Sequence, residues 1–285
     1  RINLTIFAPD KLKTSKMNKE EILARLWEGY IEITPSAKKV YDLFNNKVEG
    51  EVENDHIAIR TFNDPRVNID VLAKPFLAAG YEPCGEYEFK AKKLFARHFQ
   101  HTTDAKAPKI FISELKLEEI SLEAQRLIKN TLDTVDNSVF EDKHLLFKGR
   151  VWGQPSYTIY ETLRAESEYA AWMYICGFCA NHFTVFINQF EQFKGLEEVN
   201  EFIKEKGFKM NTSGGEIKGT PEQLLEQSSI LADTTEIDFI EGKNTVTTCY
   251  YEFARRYKSE NGEIYNGFIA ASADKIFEST DLVQQ

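Results

Sequence analysis

NDHIAIRTF, residues 54–62, is the stretch that decides the fold, because its apolar and polar side chains alternate with a period of two. Ile57 and Ile59 point to one face of an extended chain, and His56 and Arg60 point to the other. The segment therefore predicts a β-strand that packs one face on an apolar core and carries polar chemistry on the second.

The same pattern returns later in the chain, in NHFTVFI at residues 181–187. There Phe183, Val185 and Ile187 share one face, and His182 and Thr184 share the other. In each copy the strand is followed by a helix that ends at a glycine and then by three further strands. Each copy opens with an Asp-His or Asn-His pair and closes on a strand that bears a glutamate, Glu114 or Glu252. These features indicate an internal repeat.

The remaining elements follow from hydrophobic periodicity and from turn residues. Two helices are predicted between residues 18 and 46, and a helical connector at 117–177 ends in a single helix from Ser156 to Tyr174. In the second copy, strands are predicted at about 208–218, 225–233 and 245–254.

The repeat predicts an α+β fold in which two βαβββ modules pair curved mixed sheets around a central metal cleft, with extra helices at the N-terminus and between the modules. The ranges are a leader or extension at 1–17, a single domain at 18–285, module one at about 50–116, the connector at about 117–177, module two at about 178–256 and a C-terminal segment at about 257–285.

Composition excludes several classes of function. The 35 Lys and Arg against 45 Asp and Glu give a net charge of −10, the wrong sign for binding a phosphate backbone. No apolar run approaches the ~20 residues that a membrane-spanning helix needs. Four scattered cysteines do not form the framework of a small secreted domain, so we expect reduced thiols and a cytoplasmic protein.

The paired modules are expected to bring His56, His182 and Glu252 to one metal ion. Two imidazoles and one carboxylate on one side of an octahedral ion leave three positions open, which suits Fe(II) that binds a chelating substrate and dioxygen. The alternative is two hydrogen-bonded core histidines and a salt bridge from Glu252 to Arg255 or Arg256. Glu114 is expected to be either a fourth ligand or, preferably, an acceptor that orients an imidazole.

Arg60 lies on the same strand face as His56, roughly 13 Å farther along an extended strand. Its rigid fork is suited to a distal substrate carboxylate, and a surface salt bridge is the competing interpretation. The other histidines, and the Cys176 and Cys179 pair, are expected to have surface, structural or packing roles. Those histidines are His98, His101 and His144.

Four runs together resemble the 2-oxoadipate dioxygenase/decarboxylase family, also called hydroxyglutarate synthase, over most of the chain from about Asn18. The runs are NDHIAIRTF at 54–62, ESEYAAW at 166–172, ANHFT at 180–184 and YEFARR at 251–256. The resemblance implies a fold similar to the vicinal-oxygen-chelate superfamily. It also implies an Fe(II) site at His56, His182 and Glu252, with Arg60 on the substrate carboxylate. A C-terminal loop that includes Ala271 and Ser272 is then expected to contact the substrate.

The implied activity converts a 2-oxo dicarboxylic acid, 2-oxoadipate above others, with O2 to 2-hydroxyglutarate and CO2. The implied partners are thus a small 2-oxo acid and dioxygen, with no nucleic acid and no membrane. Two alternatives remain open on the same scaffold. One is a glyoxalase-like isomerase or lyase that uses zinc, nickel or manganese, and the other is a non-catalytic small-molecule binder.

Overall fold

The structure of the protein is a computed structural model that describes residues 17–48 and 50–269. Its helices are α1 (Lys19–Ile33), α2 (Pro35–Asn45), α3 (Ile69–Ala78), α4 (Leu122–Asp133), α5 (Asn137–Phe140), α6 (Tyr157–Glu166), α7 (Glu168–Cys176) and α8 (Leu196–Glu205). Its strands are β1 (Asn54–Phe62), β2 (Tyr81–Phe89), β3 (Leu94–His101), β4 (Lys109–Leu115), β5 (Ala180–Phe186), β6 (Lys218–Thr220), β7 (Leu225–Ser229), β8 (Thr234–Phe239), β9 (Gly242–Thr247) and β10 (Glu252–Arg256).

One mixed sheet contains eight of the described strands, in the order β2-β3-β4-β1-β5-β10-β7-β6. The order is the same when it is read outward from the centre in either direction, with β5, β10, β7 and β6 taking the places of β1, β4, β3 and β2. The two inner strands, β1 and β5, pair antiparallel, and each pairs parallel with the last strand of its own module. The α+β fold of two βαβββ modules is therefore confirmed.

The second module differs from the prediction at its end. The expected strand at 245–254 is two elements, β9 and β10, and β9 pairs with β8 in a separate two-stranded sheet. Between them, Cys249, Tyr250 and Tyr251 are all fully buried. Odd-numbered and even-numbered residues are both apolar and buried there. The sequence pattern therefore gives no sign of where one strand ends and the next begins.

The connector differs as well, because the single helix expected from Ser156 to Tyr174 is interrupted. Ser167 has an extended backbone (φ −151°, ψ 107°), which ends α6, and its side chain accepts a hydrogen bond from the Ala170 backbone N–H to cap α7. The break at Ser167 separates α7 from α6, and α7 contacts β1.

The N-terminal helices cover one face of the sheet, and the histidines of β1 and β5 lie on the opposite face. Helix α1 begins with a reciprocal capping box between Asn18 and Glu21. It buries Ile22, Leu26 and Tyr30, and the Tyr30 ring packs on Phe183 of β5 with centroids 5.0 Å apart. The Tyr30 hydroxyl also donates to the backbone carbonyl of Tyr250, which ties the helix to the segment before β10.

Both faces of the central strands are buried. In β1, every residue after Asn54 is buried, including His56, Arg60 and Thr61. The alternation in the sequence therefore reflects two buried faces. One face packs on the apolar core, the other lines a buried polar interior, and neither is exposed to solvent. Among the described residues, no helix has the length and apolar character needed to cross a membrane.

Gly177, at the end of α7, generates a prediction about stability. It has φ +69° and ψ −141°, and an added Cβ would lie 2.3 Å from the Gly149 carbonyl oxygen and 2.5 Å from Arg150 Cα. We expect Gly177→Ala to lower the free energy of unfolding by roughly 2–5 kcal/mol, since a left-handed backbone and overpacking both add to the cost. Denaturant unfolding measures the change.

The matched control is Gly207→Ala. Gly207 also has a positive φ of +87°, but an added Cβ meets nothing within 4 Å. In this variant the free energy of unfolding is expected to fall by about 1–2 kcal/mol, the cost of a left-handed backbone alone. Equal losses in the two variants would contradict the packing argument.

Candidate metal centre

Three central strands bring His56, His182 and Glu252 together. His56 lies opposite Thr184 in the β1–β5 ladder, and Thr184 lies opposite Glu252 in the β5–β10 ladder. The three side chains are buried, and each offers a ligand atom within 4.8 Å of the others. Among the described residues, this is the one group of three or more such side chains that could hold a metal ion.

The distances place the acid between the two imidazoles. His56 Nε2 lies 3.4 Å from Glu252 Oε1, and His182 Nε2 lies 3.6 Å from Glu252 Oε2. The two rings are nearly perpendicular, with centroids 5.6 Å apart and an interplanar angle of 81°. The Nε2 atoms of both rings therefore face the same small volume as the carboxylate.

Two β-bulges orient the histidines. The register of the β1–β5 ladder shifts at Asp55 in one strand and at Asn181 in the other, so each is an extra residue directly before a ligand histidine. Asp55 Oδ1 lies 2.8 Å from His56 Nδ1, and Asn181 Oδ1 lies 2.9 Å from His182 Nδ1. With Nδ1–H donated to these oxygens, the Nε2 lone pairs are directed toward the acid.

The surroundings of Glu252 fit a bound cation. Gln227 Nε2 donates to Glu252 Oε1 at 2.6 Å, and the Thr184 hydroxyl donates to the same oxygen at 3.2 Å. The second oxygen, Oε2, has no hydrogen-bond partner among the described residues. Burial raises the pKa of Glu252, as expected for a carboxylate that lacks a compensating positive charge. Two imidazole nitrogens and an unpaired carboxylate oxygen are donors that a divalent metal accepts.

Arg256 is paired with Asp55, and not with Glu252. Its guanidinium donates to both Asp55 oxygens, at 2.5 and 2.9 Å, and to the backbone carbonyls of Tyr265 and Gly267. Burial opposes ionisation of Asp55, but Arg256 and the hydrogen bond to His56 hold its pKa well below the usual value. The alternative salt bridge from Glu252 to Arg256 is therefore wrong.

The contacts of Arg256 also place the segment after β10 over the site. Phe268 packs edge-on against the His56 ring, with centroids 4.9 Å apart. It also contacts Phe111 of β4, at 4.9 Å, and His98 of β3, at 5.3 Å. An apolar wall thus closes the module-one side of the cluster.

Arg60 is buried on the same strand face as His56 and is held between aromatic rings. Its guanidinium carbon lies 5.0 Å from the Tyr169 ring centroid and 5.1 Å from that of Trp172, both on α7. The Tyr169 hydroxyl accepts a hydrogen bond from Thr61 N–H and donates to the Ser113 carbonyl. Helix α7 therefore fixes both the aromatic rings and the strands on which Arg60 lies.

The structure does not bring Glu114 to the cluster. Its carboxylate accepts a hydrogen bond from the Ile69 backbone N–H at the start of α3, on the opposite face of the sheet. His56 in module one corresponds to His182 in module two. Phe111 lies opposite Ala58, two residues after His56, and Glu252 lies opposite Thr184, two residues after His182. The position that corresponds to Glu252 in module one is therefore Phe111. The expectation of a fourth ligand or an orienting acceptor at Glu114 is thus corrected.

The other candidate residues fall in different places. Ala271 and Ser272 lie outside the described residues. Cys176 and Cys179 are free thiols that pack against the hydrophobic core, as expected. His98 is structural but not at the surface, because it is 3% exposed and its ring nitrogens contact the Tyr87 hydroxyl and the Gln100 side chain.

Sequence reasoning missed several groups that touch the ligands. Gln227 lies on a neighbouring strand that carries no distinctive motif, so nothing in the sequence pointed to it. Tyr250 stacks on His182, with centroids 4.7 Å apart and an interplanar angle of 26°. Its even separation from Glu252 was a usable signal, since residues two apart in an extended chain share a face.

The fold and the site together define a class of protein. It has paired βαβββ modules in one sheet, and at their junction a buried set of two imidazoles and one carboxylate that is suited to a divalent metal.

Comparison with known proteins identifies the family. A model of the 2-oxoadipate dioxygenase/decarboxylase family matches residues 32–260. The curated 2-oxoadipate dioxygenase/decarboxylase of Oryza sativa subsp. japonica, described as chloroplastic/amyloplastic, is 33% identical over 91% of this chain and 78% of its own length. The chain belongs to this family, and the resemblance inferred from its sequence is confirmed.

Solved structures share the fold of this chain. The hydroxyglutarate synthase of Oryza sativa in complex with 2-oxoadipate is 30% identical, with a TM-score of 0.86 over 97% of this chain and 99% of that one. A structure from Shewanella frigidimarina, described as a proposed hydrolase, is 47% identical, with a TM-score of 0.84 over 89% and 98% of the two chains.

His98 generates a prediction about pH and stability. Burial lowers its pKa to about 4, so between pH 4 and the usual value of about 6.5 the unfolded chain binds a proton that the folded chain does not. Stability from this residue is therefore present above pH ~6.5 and is lost as the pH falls toward 4, by at most about 3 kcal/mol. We expect His98→Gln to flatten the pH dependence of the unfolding free energy in this interval. An unchanged slope in the variant would contradict the assignment.

Proposed function

We propose that the chain is an Fe(II)-dependent dioxygenase/decarboxylase that converts a 2-oxo dicarboxylic acid, above all 2-oxoadipate, with O2 to 2-hydroxyglutarate and CO2. The observation that carries the proposal is the convergence of three atoms on one buried volume: His56 Nε2, His182 Nε2 and Glu252 Oε2, which accepts no hydrogen bond from the described residues. Membership of the family and the complex of the rice protein with 2-oxoadipate support the choice of substrate.

The donor set supports iron over other metals. Two histidines and one carboxylate that leave adjacent positions open are typical of non-haem Fe(II) oxygenases. When bound, Fe(II) supplies open coordination positions for a chelating 2-oxo acid and a redox centre for oxygen chemistry. One substrate accounts for both atoms of O2 and for the electrons that reduce it. As CO2 leaves, one oxygen atom enters the carboxylate formed from the keto carbon and the other becomes the hydroxyl group, so no separate 2-oxoglutarate is consumed.

In this proposal the protein holds the ligands rigid. Asp55 and Asn181 keep Nδ1 protonated, so that each imidazole presents Nε2 to the metal. Gln227 and Thr184 hold one oxygen of Glu252, which leaves the other for the metal. Since these partners are buried and in place before any ligand binds, little reorganisation is needed during the reaction.

Arg60 is proposed to bind the distal carboxylate of the substrate. Its fork is suited to bidentate recognition, and the rings of Tyr169 and Trp172 restrict where it points. Anchoring the far end of the substrate fixes which carbon meets the oxidant. Ala271 and Ser272 remain proposed substrate contacts.

The first test is the reaction itself. Protein loaded with Fe(II) without oxygen, then given air and 2-oxoadipate, is expected to take up O2 and release CO2 in equal amounts and to form 2-hydroxyglutarate. An oxygen electrode and product analysis measure these quantities. Absence of both O2 uptake and CO2 release would contradict the proposal. Turnover with zinc, nickel or manganese in the absence of O2 would favour the glyoxalase-like alternative.

Two substitutions separate the proposed roles. His182→Ala is expected to abolish stoichiometric metal binding and turnover, since one of three ligands is lost. Arg60→Ala is expected to keep the metal and to weaken binding of 2-oxoadipate by about 10- to 100-fold, in line with the ~1.5–3 kcal/mol of a charge-assisted hydrogen bond. Metal analysis and an anaerobic substrate titration measure the two effects.

Arg60→Lys is the matched control for the charge, because it keeps a cation between the two rings but loses the fork. It is expected to bind 2-oxoadipate with an affinity between those of the wild type and Arg60→Ala. Equal loss of metal in the Arg60 and His182 variants would contradict the separation of roles.

A further inference from the structure

Tyr250 lies inside the candidate site and has no role in the function proposed so far. It is two residues before Glu252, is fully buried, and stacks on the imidazole of His182 at 4.7 Å. The β1–β5 ladder places Ala58 opposite His182, and Arg60 is the next residue of that face. Tyr250 is therefore beside the ligand that lies toward the Arg60 end of the site.

The hydroxyl of Tyr250 has no hydrogen-bond partner among the described residues. A buried hydroxyl without a partner costs about 1–3 kcal/mol, which is why most such groups are satisfied. Two other buried tyrosines, Tyr30 and Tyr169, follow that rule, whereas the hydroxyls of Tyr81 and Tyr251 have no partner among the described residues. The hydroxyl of Tyr30 donates to the Tyr250 carbonyl, and that of Tyr169 donates to the Ser113 carbonyl.

The hydroxyl of Tyr250 requires an acceptor, because a tyrosine hydroxyl carries one hydrogen that it can donate. The ring lies against His182, and the residue is two positions before Glu252. The hydroxyl therefore belongs to the surroundings of the candidate metal ligands.

We propose that the Tyr250 hydroxyl is a substrate-binding group that donates a hydrogen bond to an oxygen of the bound 2-oxo acid, between the metal ligands and Arg60. The inference rests on the proposed function, because that function supplies an anionic acceptor at this place. A 2-oxo dicarboxylate carries carboxylate and keto oxygens along its length, and the bound molecule satisfies the donor that the described residues leave without a partner.

The neighbouring residue offers a matched control. The hydroxyl of Tyr251 is also buried without a partner among the described residues. Its ring points away from the metal ligands and packs against Trp27, Tyr30 and Phe253. Tyr250→Phe and Tyr251→Phe each remove one such hydroxyl and keep the ring, so any general effect of the substitution is common to both.

The experiment measures metal and substrate binding separately. Both variants and the wild type are loaded with Fe(II) without oxygen, the metal content and melting temperature are recorded, and 2-oxoadipate is titrated by calorimetry. We expect metal content to be the same in all three proteins. Tyr250→Phe is expected to weaken binding of 2-oxoadipate by about 10- to 100-fold, and Tyr251→Phe to leave it within about two-fold of the wild type.

The outcomes distinguish the two proposals. Wild-type affinity in Tyr250→Phe overturns the role of the hydroxyl, and so does loss of metal from that variant, which would mean that Tyr250 acts through His182. An equal loss of affinity in both variants would also overturn it. Because the titration is done without oxygen, it measures the contribution of the Tyr250 hydroxyl to 2-oxoadipate binding even if the protein does not turn over. Wild-type protein that binds the metal but not 2-oxoadipate would remove the proposed function and this inference together.

Discussion

The pairing of β1 with β5 is the constraint on which the rest of the site depends. These strands join the two modules, and each carries one extra residue directly before its histidine. In a regular ladder, Asp55 and Asn181 would point to the opposite face from the histidines that follow them. The reciprocal bulges turn both side chains toward the adjacent imidazoles, so a single irregularity, used twice, sets the position and the tautomer of both rings.

The two modules are similar in strand order but different in chemistry. At the position where module two carries Glu252, module one carries Phe111, which packs on Phe268 beside His56. One half of the sheet therefore supplies the carboxylate, and the other supplies an apolar wall. This difference leaves the cluster, among the described residues, with three candidate metal ligands.

The sequence predicted the module order and the three converging side chains, because the alternation in residues 54–62 and 181–187 reports both faces of the inner strands. It failed where that signal is lost. Around Cys249 to Tyr251 both faces are buried, so parity gave no strand boundary, and Ser167 divides a helix that looks continuous in its apolar pattern. Glu114 was misassigned because equal residue types at the ends of two repeats do not guarantee equal register. Contacts across strands, such as Gln227 with Glu252, require the ladder itself.

The pairing of Asp55 with Arg256 has a consequence for the charge of the buried interior. Since these two groups neutralise each other, the negative partner of His56 adds no net charge to the centre, and Asn181, the partner of His182, carries none. Among the described residues, the charge at the three candidate ligands is then that of Glu252 alone. A divalent cation held there would compensate this carboxylate in a region where an uncompensated ion is costly. The charge of the cluster is thus set by one carboxylate and by the cation it would hold, and not by the partners of the two imidazoles.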